Sequence, residues 1–169
     1  MASRPQGGRR DDLALTMRPV VVQVYAEISA APQRLWELLT DWEHQGEWMR
    51  EASDFEVVSP QRAGVGTTVA TTVRIAGITT RDRIRVDIWQ PPTGSAPAHL
   101  GIVHLGWVKG RADIHLTELP DERLRLDWTE QLHPPLALLG ATAMRLLTPL
   151  LTHTFRRDLT LLRTLAEQT

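Results

Sequence analysis

Alternation of apolar and polar residues recurs along most of the chain. In residues 20–28, Val22, Val24 and Ile28 alternate with Gln23 and Glu27, which is typical of a strand with one buried face. The same pattern, bounded by turn residues, predicts six more strands. These span residues 55–58, 67–75, 78–89, 99–105, 108–119 and 123–132.

Three tryptophans, Trp36, Trp42 and Trp48, follow the first strand at six-residue intervals. On one continuous helix each interval turns by about 240°, so one buried stripe cannot hold all three rings. Thr40 and Glu43 fit a capping box, which marks the start of a second helix. We therefore predict two short helices, with Trp36 on the first and the other two tryptophans on the second.

The C-terminal part of the chain, residues 136–167, changes to the apolar spacing of a helix. Its stripe, within about 60° of Leu151, contains Leu147, Phe155, Leu162 and Ala166. Pro149 is expected to kink the first half of this helix.

The order of these elements predicts an α+β domain. Consecutive strands joined by short turns, such as residues 76–77 and 120–122, pair as an antiparallel meander. The long helix is the element available to cover the apolar face of that sheet. A curved sheet wrapped around one helix leaves a space between them, and the two short helices are expected to plug one end of it.

Composition narrows the class of protein. The chain has 169 residues, a net charge of −1 and no cysteine, which argues against a polyanionic partner and excludes disulfides and thiolate chemistry. The longest apolar stretch, residues 136–151, is too short for a membrane span. We expect a cytoplasmic protein in which residues 1–18 form a flexible tail, and Met17 is an alternative start.

Three polar residues share the apolar face of their predicted strands. Asp82 has the parity of Ile84, Glu130 that of Trp128, and His104 that of its apolar neighbours. Burial raises the pKa of a glutamate and suits it to acid–base chemistry, so Glu130 is the first catalytic candidate and His104 the second. The alternative is that Asp82 and Glu130 lie at strand ends in solvent, and that the histidine is a hydrogen-bonded core residue.

Large side chains are candidates for the wall of a ligand pocket. We expect Trp48 and Trp128 to form it, although core packing explains them equally well. Trp89 and Trp107 lie near turns and are expected at the rim, where Trp107 is a candidate gate. On the long helix the candidates are Leu151, Phe155, Thr148 and Thr154. The threonines can instead bond to the backbone one turn back.

Two helix residues are set aside. Asp158 also lies in the stripe, but an arginine near the helix end is its expected partner. His153 points about 200° away from Leu151.

Other chemistries have weak support. The six histidines include no HExxH motif and no closely spaced pair, so no metal or cofactor is expected. The glycine-rich turn at 64–67 precedes a strand rather than a helix, which argues against a phosphate site. The basic stripe at 83–87 is typical of a solvated sheet face, so no nucleic acid is expected.

Several segments together resemble the START-like superfamily, also called SRPBCC or helix-grip proteins, and within it the polyketide cyclase/dehydrase and lipid-transport group. They are residues 29–49, GVGT at 64–67, QPP at 90–92, LRLDWTEQL at 124–132, and FRRDLTLLRTLAEQ at 155–168. The resemblance covers about residues 20–168. It implies one helix-grip domain over residues 19–169, with a curved seven-stranded antiparallel sheet around the C-terminal helix.

The superfamily includes ligand carriers, aromatase/cyclases, coenzyme Q-binding proteins and chaperone activators, so three hypotheses follow. The first is binding of a small hydrophobic molecule of polyketide, isoprenoid or lipid type between sheet and helix. The second is a polyketide cyclase or dehydrase that uses Glu130 or His104. The third is a regulatory interaction module. The sequence does not indicate an oligomeric state.

Overall fold

The structure is a computed structural model that describes residues 19–94, 96–133 and 137–168. Seven strands are β1 (Val20–Ile28), β2 (Ala52–Val57), β3 (Thr68–Ile75), β4 (Ile78–Gln90), β5 (Ala98–His104), β6 (Lys109–Leu119) and β7 (Arg123–His133). Two α-helices, α1 (Pro32–Thr40) and α2 (Ala137–Glu167), and a 3₁₀ helix (Trp42–Glu47) complete the described elements. The predicted tail, with Met17, lies outside the described residues, and so does position 136.

The strands form one antiparallel sheet in the order β1-β7-β6-β5-β4-β3-β2. Each strand from β2 to β7 pairs with its neighbour in sequence, and β1 closes the other side by pairing with β7. The β3–β4 hairpin turns at Ala76 and Gly77, whose φ angles of 52° and 80° are both positive. Such a two-residue turn matches the twist of the strands that it joins. The predicted α+β meander with a long C-terminal helix is confirmed.

The core lies between one face of the sheet and α2, which runs along β1 and also touches α1. Alternate residues of the strands point into it, as the sequence pattern predicts. From the helix, Leu151, Leu159 and Leu162 are almost completely buried. No helix among the described residues has the length and apolar character needed to cross a membrane.

The capping box predicted at Thr40 is wrong. Thr40 is the last residue of α1, and its hydroxyl donates to the carbonyl of Trp36 at 2.8 Å. The 3₁₀ helix instead follows Asp41, which makes no side-chain capping bond. A threonine near a helix end can satisfy its hydroxyl one turn back, and that bond uses the group that the capping box requires.

The tryptophans are therefore distributed over three environments. Trp36 on α1 packs edge-on against Trp89, with ring centroids 5.2 Å apart, so Trp89 is a packing residue. Trp42 begins the 3₁₀ helix, and Trp48 lies just after its end rather than within it. Each ring is directed by a different local backbone, which explains a spacing that suits neither helix nor strand.

The second strand begins earlier than its pattern indicates. We predicted residues 55–58, but β2 begins at Ala52. Asp54 has a positive φ of 55°, and the register with β3 shifts between Ser53 and Glu56. An irregularity of this kind interrupts the alternation of side chains, so the first half of the strand carries no period-two signal.

A matched pair on α2 tests the contribution of the buried face. Leu162→Ala should lower the free energy of unfolding by about 2–5 kcal/mol, because it removes fully buried methyl groups and leaves a cavity. Leu146→Ala, at a side chain that is 77% exposed, should change it by no more than about 0.5 kcal/mol. Urea denaturation measures both. Equal losses would show that α2 does not cover the sheet in this way.

Candidate ligand-binding site

A cavity of about 240 Å³ lies between the sheet, α2 and the segment around the 3₁₀ helix. Its wall is predominantly apolar. The strands contribute Val73, Ile84, Ile102, Ile114 and Leu132, α2 contributes Leu147, Leu151 and Phe155, and the segment around the 3₁₀ helix contributes Trp48, Met49 and Phe55. An internal space of this size is far larger than the packing defects of an ordinary core.

One end of the cavity reaches the protein surface. Ile78, at the start of β4, and Trp107, between β5 and β6, both line the cavity and are 58% and 56% exposed. Arg81 is an exposed polar residue of the same lining. These three side chains define the mouth, where Trp107 was expected at a rim.

In contrast to the apolar wall, one corner of the cavity is polar and charged, because Asp82, His104 and Glu130 meet there. Nδ1 of His104 lies 2.7 Å from Oδ2 of Asp82, and Nε2 lies 3.4 Å from Oε2 of Glu130. The imidazole therefore sits between two carboxylates. The side chains of His104 and Asp82 are 19% and 15% exposed, and that of Glu130 only 5%.

The sheet register brings these residues together from β4, β5 and β7. Asp82 lies two residues before Ile84, the partner of His104 in the ladder. Between β5 and β7, the residue of β6 opposite Glu130 is Ala112, whose small side chain leaves space for the imidazole. Position 106 requires a glycine for a similar reason, because a Cβ there would lie 2.0 Å from Oδ1 of Asp82.

The charges of this corner favour a protonated histidine. Burial alone lowers the pKa of His104, but the negative charges of Glu130 and Asp82, together with the hydrogen bond that the imidazole donates to Asp82, outweigh it and raise the pKa to about 10. The corner is thus an imidazolium held by two acidic groups. Nε2 of His104 and Oε2 of Glu130 are buried and have no hydrogen-bond partner among the described residues.

Aromatic rings form the wall beside this corner. Trp128 stacks on Phe155 at 5.0 Å, and Trp48 meets Trp128 edge-on at 6.1 Å. Nε1 of Trp128 donates to Oε1 of Glu130 at 3.1 Å, which fixes the carboxylate against the ring. Nε1 of Trp48 is buried and has no hydrogen-bond partner in the described part of the chain.

The structure gathers eight of the predicted site residues around this cavity: Trp48, Asp82, His104, Trp107, Trp128, Glu130, Leu151 and Phe155. Thr148 and Thr154 are not part of its lining. On α2 the lining residues Leu147, Leu151 and Phe155 follow one another at four-residue steps. Each threonine lies one residue away from that row, and is therefore turned by about 100° from it.

A second buried polar cluster also borders the cavity, and the sequence analysis did not identify it. Glu51, just before β2, lines the cavity, and Oε2 of Glu51 lies 3.1 Å from Nη2 of Arg157. The same nitrogen donates to Oδ1 of Asp158 at 2.7 Å. Asp158 was expected to pair with an arginine, but nothing in the sequence indicated a second carboxyl group from so distant a segment.

Glu51 and Asp158 share a water-excluded environment. Burial, followed by the hydrogen bond and charge of Asp158, raises the pKa of Glu51 to about 8, although Arg157 opposes the shift. A raised pKa of this size favours the protonated form of Glu51 at neutral pH. Arg157, which donates to both carboxyl groups, joins the segment before β2 to α2 across the edge of the cavity.

Residues 19–167 match the family described as polyketide cyclase/dehydrase and lipid transport. The chain belongs to this family. No curated protein matches the sequence significantly. This polyketide cyclase/dehydrase and lipid-transport domain thus has the helix-grip fold that the sequence predicted.

Solved structures agree with this assignment at the level of the fold. The chain is similar to TTHA0849 from Thermus thermophilus, with 19% identity and a TM-score of 0.68 over 87% of this chain and 97% of that one. It is also similar to the Zhui aromatase/cyclase from Streptomyces sp. R1128, with 17% identity and a TM-score of 0.69 over 88% and 94%. A START superfamily protein from Mycobacterium smegmatis gives 15% and 0.66 over 88% and 97%. At these identities the likeness establishes the fold alone.

The Glu51 pair makes stability depend on pH in a defined direction. Because the folded protein retains a proton that the unfolded chain releases near its ordinary pKa of 4.5, stability should fall as pH rises from about 4.5 to about 8. Glu51→Gln keeps a donor without a charge, so we expect this fall to become several-fold smaller. Urea denaturation at pH 5 and pH 6 measures it, because both values lie below the ordinary pKa of 6.5 above which the raised pKa of His104 also lowers stability.

Glu56→Gln is the matched control, because Glu56 is exposed on the neighbouring strand β2. This variant should retain the pH dependence of the wild type. If the profile of Glu51→Gln also runs parallel to that of the wild type, Glu51 does not hold the proton.

Proposed function

We propose that the protein binds a small, largely apolar molecule that carries a hydroxyl or other oxygen function. The observation that carries this proposal is the distribution of polarity in the cavity. Its wall is apolar and aromatic, whereas one corner presents Asp82, His104 and Glu130. An apolar site with a few convergent polar groups is the usual form of a small-molecule site, since the polar groups fix orientation.

The geometry also limits the chemistry of the ligand. Oε2 of Glu130 and Nε2 of His104 are buried and lie 3.4 Å apart as an ion pair, but neither has a hydrogen-bond partner among the described residues, so a ligand that hydrogen-bonds to both would stabilise the site. A hydroxyl group suits both, because it donates to the carboxylate and accepts from the imidazolium. The volume of about 240 Å³ lies just below the usual ~300–1,000 Å³ of drug-sized sites, so a compact ligand is favoured over a long acyl chain.

A second candidate function is acid–base catalysis of a polyketide-type cyclisation or dehydration. The specific observation in its favour is that an acid and a base lie 3.4 Å apart, as Nε2 of His104 and Oε2 of Glu130. Membership of the polyketide cyclase/dehydrase and lipid-transport family is compatible with both candidates, and fold alone does not choose between them.

A dehydration would use both groups once. The Glu130 carboxylate removes the proton on the carbon next to a carbonyl, and the imidazolium of His104 donates its proton to the departing β-hydroxyl. The C–O bond breaks, a C=C bond forms and water leaves. The proton on Glu130 then returns across the 3.4 Å gap to His104, which restores the starting state. Asp82 orients the imidazole through Nδ1.

Calorimetric titration tests the binding proposal with two probes of similar size, 2-naphthol and naphthalene. The wild type should bind 2-naphthol saturably and more tightly than naphthalene. Glu130→Gln should weaken 2-naphthol roughly tenfold, because a hydrogen bond to a charged group becomes a bond to a neutral one. The amide still accepts from Trp128.

Glu56→Gln provides the surface control and should leave both affinities unchanged. Palmitic acid tests the size limit and should bind more weakly than 2-naphthol. Absence of saturable 2-naphthol binding would contradict the proposal, and so would equal binding of the two naphthalene probes by the wild type and by Glu130→Gln.

The catalytic candidate is tested with a β-hydroxy thioester, whose conversion to the conjugated enoyl product is followed by absorbance. Glu130→Gln should reduce turnover by at least about 100-fold while 2-naphthol binding persists. Because His104 must be protonated, turnover should decline as pH rises through about 10, the raised pKa of that imidazole. Unchanged turnover in Glu130→Gln would remove Glu130 from the mechanism. Binding without any turnover by the wild type would count against catalysis of this dehydration and leave the binding proposal intact.

A further inference from the structure

The outer face of the sheet carries a cluster unrelated to the cavity. His99 on β5 and His115 on β6 are direct partners in the ladder, and their rings stack with centroids 4.0 Å apart. Asp113 lies two residues before His115, on the same face. All three alternate with the buried residues Leu100, Ile114 and Leu116, so they point away from the core.

The donor atoms of this cluster already converge. Nε2 of His99 lies 2.8 Å from Oδ1 of Asp113, and one donor atom from each of the three residues lies within 4.8 Å of the others. A metal ion with bonds of about 2.0–2.2 Å to nitrogen and oxygen replaces the proton of such a hydrogen bond after a small increase in separation. Two imidazoles and one carboxylate form a ligand set that suits first-row divalent ions.

The carboxylate is held in place by further contacts. Arg111 donates to both oxygens of Asp113, at 2.7 and 2.9 Å, and also to Asp87 on β4. Gly101 makes this arrangement possible, because a Cβ there would lie 2.6 Å from Nη2 of Arg111 and 2.8 Å from Oδ1 of Asp87. Hydrogen bonds of this kind orient the carboxylates that ligate metals.

The charge and exposure of the cluster are compatible with a cation. Asp87 and Asp113 together outweigh the single positive charge of Arg111. His99 and Asp113 have side chains that are 19% exposed, and His115 is exposed, so water can complete the coordination. The sequence offered no closely spaced histidine pair; the register creates one across two strands.

We propose that His99, Asp113 and His115 bind a first-row divalent metal ion, with Zn²⁺ as the probe, at a site on the outer face of the sheet. The site is independent of the cavity and of the function proposed for it. Imidazole ligands favour such ions over Mg²⁺ and Ca²⁺, which prefer oxygen.

Calorimetric titration of tag-free protein with ZnCl₂ tests the proposal. The wild type should bind one ion saturably, and MgCl₂ should give no comparable signal. His99→Ala and His115→Ala should each weaken Zn²⁺ binding by at least about tenfold, since even the partners of metal ligands contribute that much. Asp113→Asn should weaken it as well.

His153→Ala is the control, because His153 is an exposed histidine on α2 and lies outside the cluster. It should leave the affinity unchanged. As an independent readout, Zn²⁺ should raise the thermal midpoint of the wild type and of His153→Ala, but not that of His115→Ala, whose exposed position preserves folding. Absence of saturable Zn²⁺ binding would overturn the proposal. Binding that survives both cluster substitutions, or that is lost in His153→Ala, would do the same.

Discussion

One long helix covers one face of a seven-stranded sheet, and the two surfaces leave about 240 Å³ unfilled between them. This unfilled space determines which polar side chains the interior can hold. A polar side chain whose strand parity points inward loses water, and burial without a hydrogen bond is expensive. His104 therefore hydrogen-bonds to Asp82 and forms an ion pair with Glu130 at the edge of the space that the helix leaves open.

Burial of the charged groups at this corner disfavours folding, but it also gives the site its acid–base and hydrogen-bonding groups. Desolvation of charged groups can exceed the attraction between them, and here burial does oppose the charge on His104. Two carboxylates outweigh that penalty and hold the imidazole in its charged form. The low dielectric of this buried corner strengthens the electrostatic interactions within the site. Oε2 of Glu130 lacks a hydrogen-bond partner among the described residues. A corner with more acceptor capacity than the described donors satisfy is suited to a ligand that brings a hydroxyl proton.

Sequence analysis succeeded where one strand or one helix face carried the information. Parity along single strands placed Asp82, Glu130 and His104 on the inner face, and the family resemblance gave the helix-grip fold. It failed where the answer depended on a partner from elsewhere. The capping box at Thr40 was wrong because a backbone carbonyl competes for the same hydroxyl.

Long-range partners explain the remaining gaps. Glu51 and Asp158 come together only in the fold, where Arg157 donates to both, and His99 meets His115 only through the β5–β6 register. No spacing along the chain encodes either contact. Thr148 and Thr154 illustrate a different error. The apolar stripe predicted for α2 was wide enough to include both threonines, whereas only a narrower row of side chains lines the cavity.

Strand β5 contributes one histidine to each face of the sheet. His99 points outward and His104 inward, five residues apart, or about 16 Å along an extended strand. A slip of one residue in the β5–β6 pairing would send every side chain of β5 to the opposite face, and would remove His104 from Asp82 and Glu130. The stacking of His99 on His115 acts on this same pairing. An ion held there would cross-link β5 to β6, and thus would resist the slip that the acid–base corner cannot tolerate.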